Sequence, residues 1–201
     1  TDIDLGKFCT KLIGKRHLVR IYYYNARVGR KEEPERYIHQ KKFFDSVASI
    51  PYTELRLGRL VYINWPNVPP YEKGVDVQLA TDLLTHCFKN NYDTAILVAG
   101  DNDFVSALQA VKDNGKHVEI ALFGKEQTSM ELRRVADMII PINSRLLKDC
   151  WKQNKQANEK SRGKQDSVKH QQVATTSSPN AEMSVEIIHP DSHPDYRNTN
   201  V

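Results

Sequence analysis

The chain has 201 residues and a mass of 23.1 kDa, enough for one large domain or two small ones. It is 39% hydrophobic and 27% charged, with a mean hydropathy of −0.60 and no run near the roughly 18 apolar residues that a membrane span needs. No signal peptide pattern opens the sequence, so we expect a cytoplasmic protein. Cys9, Cys87 and Cys150 are too scattered to indicate a disulfide framework or a zinc site.

The net charge of +4 is divided unevenly along the chain. Residues 1–75 carry 14 Lys and Arg against 8 Asp and Glu, whereas residues 76–150 carry 8 against 11 and residues 151–201 carry 7 against 6. A basic half joined to an acidic half suits a protein that holds a polyanion on one surface and metal ions beside it. Chance clustering of charges on solvated faces would produce the same totals.

The first part of the chain predicts two helices, each followed by a strand. Residues 4–12 have apolar side chains at helical spacing and end before Gly14, and residues 17–24 are rich in β-formers. The mixed apolar and charged faces of residues 33–50 predict the second helix, and the alternation in residues 53–64 predicts the second strand.

A proline-rich loop over residues 64–74 leads into an amphipathic helix predicted over residues 75–89. Residues 94–99, TAILVA, form a continuous apolar run of the kind found in strands that are covered on both faces. The remaining predicted elements are a helix over 104–114, a strand over 117–123, a helix over 129–136 and a strand over 138–142.

This alternation predicts an α/β fold for residues 1–150: a three-layer α/β/α sandwich with a mainly parallel central sheet. Residues 151–201 are rich in Gln, Asn, Lys and Ser, and their few apolar side chains cannot offset the entropy of ordering them. We therefore predict a disordered polar tail after the domain. In sheets of this kind, ligands bind at the carboxyl ends of the strands.

Asp101 and Asp103 directly follow the most apolar predicted strand. Because Gly100 permits a tight turn, the two carboxylates can reach one point in space and hold Mg²⁺ or Mn²⁺. The structural alternative is that Asp103 caps the helix that follows and that Asp101 is a turn residue.

Asp76 stands at the start of the amphipathic helix, on its inward face, where it could join the other two carboxylates. Its structural alternative is a helix cap that is favoured by the helix dipole. Asp82 lies six residues further on, about 240° around the helix, and so points elsewhere.

Three blocks of the sequence carry a resemblance to a known family: KGVDVQLATDLL over residues 73–84, ILVAGDNDF over residues 96–104, and GKHVE over residues 115–119. Together they resemble the NYN domain of the LabA-like group within the PIN-like nuclease superfamily. The resemblance extends over roughly residues 2–143, and the two blocks that contain aspartates make it specific by their order and spacing.

The resemblance implies a nuclease that depends on Mg²⁺ or Mn²⁺ and hydrolyses phosphodiester bonds in RNA, whether single-stranded or structured, by endonuclease action. It implies that Asp76, Asp101 and Asp103 are the catalytic and metal-binding residues, with Asp82 as a further metal ligand. Lys73 and Asn102, in the same blocks, are candidate substrate contacts.

One family feature has no counterpart in this chain. Members of the family begin with a strand that ends in Asp-Gly-x-Asn, and no such motif occurs here. We therefore expect the first, central strand to be missing from residues 1–150, together with one metal ligand.

Basic and aromatic residues of the first half are candidate contacts for phosphates and bases. Aromatic side chains at Tyr22–Tyr24 and Trp65 could stack on bases, although a structural role is favoured for each of them, which for the tyrosines is a place in the core or on the flank of a strand. The candidate phosphate contacts, besides Lys73, are Arg16, Arg20, Arg27, Arg30, Lys31, Lys41, Lys42, Arg56 and Arg59.

The partners expected are therefore RNA and no membrane, with a homo-oligomer left open. The alternative function is a non-catalytic RNA-binding or regulatory module that retains the NYN fold. Toprim-like, haloacid dehalogenase-like and receiver folds also place aspartates after apolar strands, but their remaining sequence blocks do not follow here.

Overall fold

A computed structural model describes residues 3–123 and 130–151 and the backbone of residues 184–189. The strands are β1 (Arg20–Arg27), β2 (Thr53–Val61), β3 (Tyr71–Lys73), β4 (Thr94–Val98), β5 (His117–Phe123), β6 (Met138–Ile142) and β7 (Ser184–His189). The helices are α1 (Leu5–Ile13), α2 (Pro34–Ala48), α3 (Val75–Phe88), α4 (Val105–Asp113), α5 (Met130–Val135) and α6 (Ser144–Leu147).

All these strands lie in one sheet, in the order β3-β2-β1-β7-β4-β5-β6. Strands β1 and β2 are parallel to each other, and so are β4, β5 and β6. Strand β3 pairs antiparallel with β2, and β7 pairs antiparallel with both β1 and β4. The α/β prediction is confirmed, and the sheet is mixed rather than parallel throughout.

Strand β7 occupies the centre of the sheet, where the resemblance implied a missing first strand. Its backbone places Ile187 opposite Ile21 of β1 and Ile96 of β4. These six residues belong to the segment that was predicted to be disordered, so for Ser184–His189 that prediction is wrong. Polar and apolar residues alternate over only a few positions in SVEIIH, and the residues around it are mostly polar, so the composition of the segment did not predict a strand. Residues 152–183 and 190–201 of the predicted tail lie outside the described residues.

Two hydrophobic cores, one on each face of the sheet, produce the three layers. Tyr22 and Tyr24 of β1 point to the face covered by α3 and α4, where they pack with residues such as Leu83 and Leu108. Tyr23 points to the opposite face and packs with α1 and α2. All three tyrosines are at most 5% exposed, so the core role favoured for them is confirmed.

Local sequence explains where several elements begin and end. The Asp4 side chain accepts a hydrogen bond from the Lys7 amide at 3.1 Å and caps α1, and Gly14 ends that helix with a φ of 61°. Every residue of β4 is buried, as its continuous apolar run predicts.

Some predicted boundaries differ from the structure. Strand β2 ends at Val61, and β3 lies within the loop that proline content predicted over residues 64–74. A three-residue edge strand is too short to show a periodic pattern. Helix α5 begins at Met130, whereas residue 129 lies outside the described residues.

Candidate active site

The turn after β4 carries two of the predicted site residues. One carboxylate oxygen of Asp101 accepts a hydrogen bond from the backbone amide of Asp103 at 3.0 Å, and so caps the single 3₁₀ turn Asn102–Phe104 that precedes α4. Phe104, at 1% exposed, anchors this turn in the core. Capping therefore falls to Asp101, whereas the structural alternative assigned it to Asp103. Asp101 is half-buried and Asp103 is exposed, so neither carboxylate is enclosed by the core.

Helix α3 brings Asp76 to the same edge of the sheet. Gly74, with a φ of 91°, forms the N-terminal cap of α3 in a left-handed conformation that favours glycine. The start of the helix also packs closely on β2, because a Cβ at Gly58 would lie 2.6 Å from Val75 Cγ2. Asp76 is thereby fixed in the first turn of α3 and does not cap it.

The three carboxylates influence one another electrostatically. Partial burial raises the pKa of Asp76 above its ordinary value, and the negative charges of Asp101 and then Asp103 raise it further. The start of α3 packs near the turn that follows β4, so aspartates from two separate sequence blocks influence one another at this edge of the sheet. A shared metal site at Asp76, Asp101 and Asp103 stays a prediction.

The donor chemistry of this cluster fits a hard divalent cation. Carboxylate oxygens are the ligands that Mg²⁺ and Mn²⁺ prefer, and their mutual repulsion is what a cation would relieve. Within residues 3–123 and 130–151, no three Asp, Glu, His or Cys side chains are already gathered closely enough to enclose a metal ion. As placed in the described residues, the cluster of Asp76, Asp101 and Asp103 is therefore not a preformed metal site.

Asp82 lies on another flank of α3. Its Oδ2 atom accepts hydrogen bonds from the Tyr24 hydroxyl and from Arg56 Nε, both at 3.1 Å. The Arg56 guanidinium also lies 5.4 Å from the centre of the Tyr22 ring. The structure therefore separates Asp82 from the other three aspartates and gives it an ion pair that links α3 to β2.

The candidate substrate contacts are exposed near the acidic cluster. Asn102 lies between the two aspartates of the turn, and Lys73 ends β3 directly before Gly74. The Cα partner of Lys73 across the sheet is Arg59, which is also exposed.

Several of the other basic candidates are engaged in ion pairs. The side chain of Arg16 binds the buried Glu119 carboxylate, with Nη2 and Oε2 2.9 Å apart. The pairs Arg20–Glu54, at 3.3 Å, and Lys41–Asp45, at 2.8 Å, lie on the surface.

One residue at this edge was missed by the sequence interpretation. The Tyr62 hydroxyl accepts a hydrogen bond from the Gly29 amide at 3.0 Å and donates one to Glu33 at 2.6 Å. Tyr62 thereby ties the loop after β2 to the loop after β1. Nothing in the sequence spacing indicates this contact, because the partners are about thirty residues apart and belong to irregular segments.

A comparison with protein families decides the family of the chain. The NYN domain family matches residues 1–143. The chain belongs to the NYN domain family. Membership places the domain in the PIN-like nuclease superfamily, as the resemblance of the sequence blocks predicted.

The chain is also similar to two individual proteins. The chain is similar to the uncharacterized protein MJ0482 of Methanocaldococcus jannaschii, with 34% identity over 86 residues that make up 43% of this chain and 35% of the relative. The matched segment thus spans about a third of that relative's length. The crystal structure of a protein of unknown function, VPA0982 of Vibrio parahaemolyticus, is similar in fold, with a TM-score of 0.53, 20% identity, and coverage of 71% of this chain and 80% of that one.

None of the helices in the part of the chain that the structure describes is long and apolar enough to cross a membrane. This agrees with the absence of a long apolar run in the sequence.

Proposed function

We propose that this NYN domain is a divalent-metal-dependent ribonuclease that hydrolyses phosphodiester bonds. The observation that supports the proposal is the packing of the start of α3 near the turn Asn102–Phe104, which brings Asp76 within electrostatic influence of Asp101 and Asp103. Carboxylates repel an RNA backbone unless a cation lies between them. An acidic cluster in an enzyme that acts on RNA is therefore expected to bind a cation.

Asp76, Asp101 and Asp103 would hold Mg²⁺ or Mn²⁺ in this proposal. When bound, such an ion lowers the pKa of its water and offsets the charge that develops on the phosphate and on the leaving oxygen. Asp101 is held in place through its bond to the Asp103 amide, so one ligand is positioned in advance. The exposed carboxylates of Asp76 and Asp103 can turn toward the same point.

The residues beside the cluster would position the substrate. Lys73 adds a positive charge three residues before Asp76 and can neutralise a phosphate next to the one that is cleaved. The amide side chain of Asn102 can donate hydrogen bonds to a phosphate or to a 2′-hydroxyl.

The proposal predicts that Asp101→Asn abolishes Mg²⁺-dependent cleavage of single-stranded RNA by the full chain. The change removes charge from the best-positioned ligand, whereas the capping oxygen remains to accept the Asp103 amide. Cleavage of an end-labelled RNA, resolved on a denaturing gel, measures the effect, and a loss of at least about a hundredfold is expected.

Asp113→Asn is the matched control, because Asp113 is an exposed aspartate at the end of α4 whose side chain accepts a hydrogen bond from Gln109 on its own helix. This variant should cleave like the wild type. Equal cleavage by the Asp101→Asn variant and the wild type would contradict the proposal.

The second candidate function is a non-catalytic RNA-binding module. The observation that favours it is the engagement of Asp82 by Arg56 and Tyr24, which leaves one carboxylate fewer for cation binding than the resemblance implies. Titration with Mg²⁺ separates the two functions. A nuclease converts RNA to products as Mg²⁺ is added, whereas a binding module retains intact RNA at every Mg²⁺ concentration.

A further inference from the structure

An aromatic side chain is presented to solvent at the carboxyl edge of the sheet. Trp65 lies in the loop between β2 and β3 and is 38% exposed. Its ring stands perpendicular to that of Tyr62, with the ring centres 5.4 Å apart. Tyr62 is itself bonded to Gly29 and Glu33, so Trp65 packs against the residue that links the loops after β1 and β2.

Three basic side chains lie in or next to the loop that Tyr62 contacts, and the Arg30 guanidinium lies 6.0 Å from the centre of the Tyr37 ring. Arg27 ends β1, and Arg30 and Lys31 follow Gly29 in the next turn. All three are exposed, and none forms an ion pair with a carboxylate in residues 3–123 or 130–151. We refer to Arg27, Arg30, Lys31 and Trp65 as the Trp65 ledge.

The net charge of the Trp65 ledge and its surrounding loop is positive, despite two acidic residues nearby. Glu33 is neutralised by Arg36, with Oε2 and Nη1 3.0 Å apart, and it also accepts from Tyr62. Glu32 is the remaining acidic side chain of the loop, against three cations.

The backbone beneath the ledge is fixed by α2. Gln40 donates a hydrogen bond from Nε2 to the Ala26 carbonyl and accepts one from the Val28 amide, both at 2.8 Å. The backbone that carries Arg27 is therefore fixed on both sides, which lowers the entropy lost when this side chain binds a phosphate.

The ledge and the acidic cluster share one edge of the sheet. Strands β1 and β4 both end at this edge and are separated by β7 alone. Two strand spacings amount to about 10 Å, so a short stretch of nucleic acid could lie across both features.

We propose that the Trp65 ledge binds single-stranded RNA and guides it to the acidic cluster, with a base stacked on Trp65 and phosphates held by the three cations. This inference rests on the proposed function, because it assigns a substrate path to that site. Single-stranded nucleic acid is the partner that matches an exposed ring near cations that form no ion pair among the described residues, since a base in a duplex cannot stack on a side chain without being extruded.

The first test measures binding of a fluorescein-labelled oligouridine to the full chain by fluorescence anisotropy, in EDTA and with Asp101→Asn in every variant so that the RNA stays intact. Trp65→Ala should weaken binding by about 5- to 100-fold, as for loss of one stacked base. Trp65→Phe should retain most of the affinity, since it keeps an aromatic face. A duplex RNA of the same length should bind Trp65→Ala and the parent equally.

The second test measures the charges of the ledge through the salt dependence of binding. Replacing Arg27, Arg30 and Lys31 together by Ala should lower the slope of log affinity against log salt by about 2, because each contact with single-stranded nucleic acid contributes about 0.7. The control variant is Phe88→Ala with Lys89→Ala, which removes an exposed ring and a cation at the opposite end of α3 and should leave affinity and slope unchanged.

Failure of this inference is distinguishable from failure of the proposed function. Mg²⁺-dependent cleavage by the wild type together with unchanged RNA binding by Trp65→Ala would overturn the ledge alone. Weakened binding by Trp65→Ala without any cleavage by the wild type would support the ledge and reject the nuclease. A dimer that Trp65→Ala converts to a monomer by light scattering, with unchanged RNA affinity, would assign the ledge to a second copy of the chain and overturn the inference.

Discussion

At the scale of single residues, the negative charge of Asp76 is electrostatically unfavourable in the folded chain. Partial burial and the charges of Asp101 and Asp103 raise its pKa, so ionising this carboxyl group costs more free energy in the folded chain than in the unfolded chain. Below pH 3.8, the pKa of this carboxyl group in the unfolded chain, Asp76 is protonated and does not destabilise the fold. As the pH rises through the higher pKa of the folded chain, the free energy of unfolding decreases. At neutral pH the carboxylate therefore destabilises the fold, which is typical of a residue kept for a ligand.

Asp76→Asn should therefore raise the melting temperature of the full chain in metal-free buffer at pH 7. Because the side chain is largely exposed and solvent screens its charge, the increase should be about 1–2 °C. The gain should shrink as pH approaches 4, where the wild-type carboxyl becomes protonated. Differential scanning fluorimetry at several pH values measures it, and a lower melting temperature for the variant at pH 7 would refute this account of Asp76.

Asp82 shows what residue spacing can and cannot predict. Helical arithmetic places it about 240° from Asp76, and the structure indeed puts it on another flank of α3. Its partners, Arg56 and Tyr24, lie on β2 and β1. Local sequence patterns do not predict an ion pair between elements that are distant in the sequence. The resemblance of sequence blocks groups all four aspartates, whereas the folded chain gives Asp82 partners of its own on β1 and β2.

At the scale of elements, the contact between β2 and α3 sets the position of the acidic cluster. A Cβ at Gly58 would lie 2.6 Å from Val75 Cγ2 and 2.9 Å from the Lys73 carbonyl oxygen, so the start of α3 rests directly on the strand. Asp76 follows Val75, and any shift of this helix end moves it relative to Asp101 and Asp103.

Gly58→Ala should lower both stability and activity. The added methyl overpacks the contact, which typically costs about 1–3 kcal/mol and corresponds to roughly 3–10 °C in melting temperature. Displacement of Asp76 should reduce Mg²⁺-dependent cleavage by roughly tenfold or more at a temperature where the variant is folded.

Gly6→Ala is the control, because a Cβ there meets Asp4 and Ile50 at ordinary distances of 3.4 and 3.6 Å. It should cleave RNA at the wild-type rate. A Gly58→Ala variant with wild-type melting temperature and cleavage would show that the close contact is not required.

Periodicity predicted most helices and the long strands because each repeats its pattern over several turns or alternations. It missed β3, which has three residues, and α6, which has four, because so few positions define no period. The aspartate turn could be placed because strand β4 is unusually apolar throughout. The loop contacts of Tyr62 and Trp65 depend on long-range packing and could not be predicted in this way.

At the scale of the whole molecule, the sheet is continuous only through β7. Strands β3, β2 and β1 form one part of it and β4, β5 and β6 the other, and β7 pairs with both. The Trp65 ledge lies at the end of the first part and the aspartate turn at the end of the second, so β7 also sets the distance between them.

Ile187→Pro should weaken this junction strongly. Proline has no amide hydrogen to donate and is not tolerated inside a central strand, and residue 187 pairs with Ile21 and Ile96 on its two sides. The melting temperature should fall by at least about 5 °C, whereas Ile187→Val should change it little. A melting temperature unchanged within about 1 °C in the proline variant would contradict the pairing of β7.

The fold shows where the basic and the acidic halves of the sequence place their charged side chains. The basic half contributes the Trp65 ledge at the ends of β1 and β2, and the acidic half contributes the aspartate cluster at the end of β4 and the start of α3. The total charges alone could not place these groups on one edge, because that depends on the order of the strands.

The account depends most directly on whether the three aspartates bind a divalent cation. Isothermal titration of the full chain with Mn²⁺ measures this without reference to catalysis. The wild type and Asp113→Asn should bind alike, and Asp101→Asn combined with Asp103→Asn should lose at least about tenfold in affinity, since it removes two of the three charges that attract the ion. Equal Mn²⁺ affinity for the wild type and the double variant would contradict the central claim.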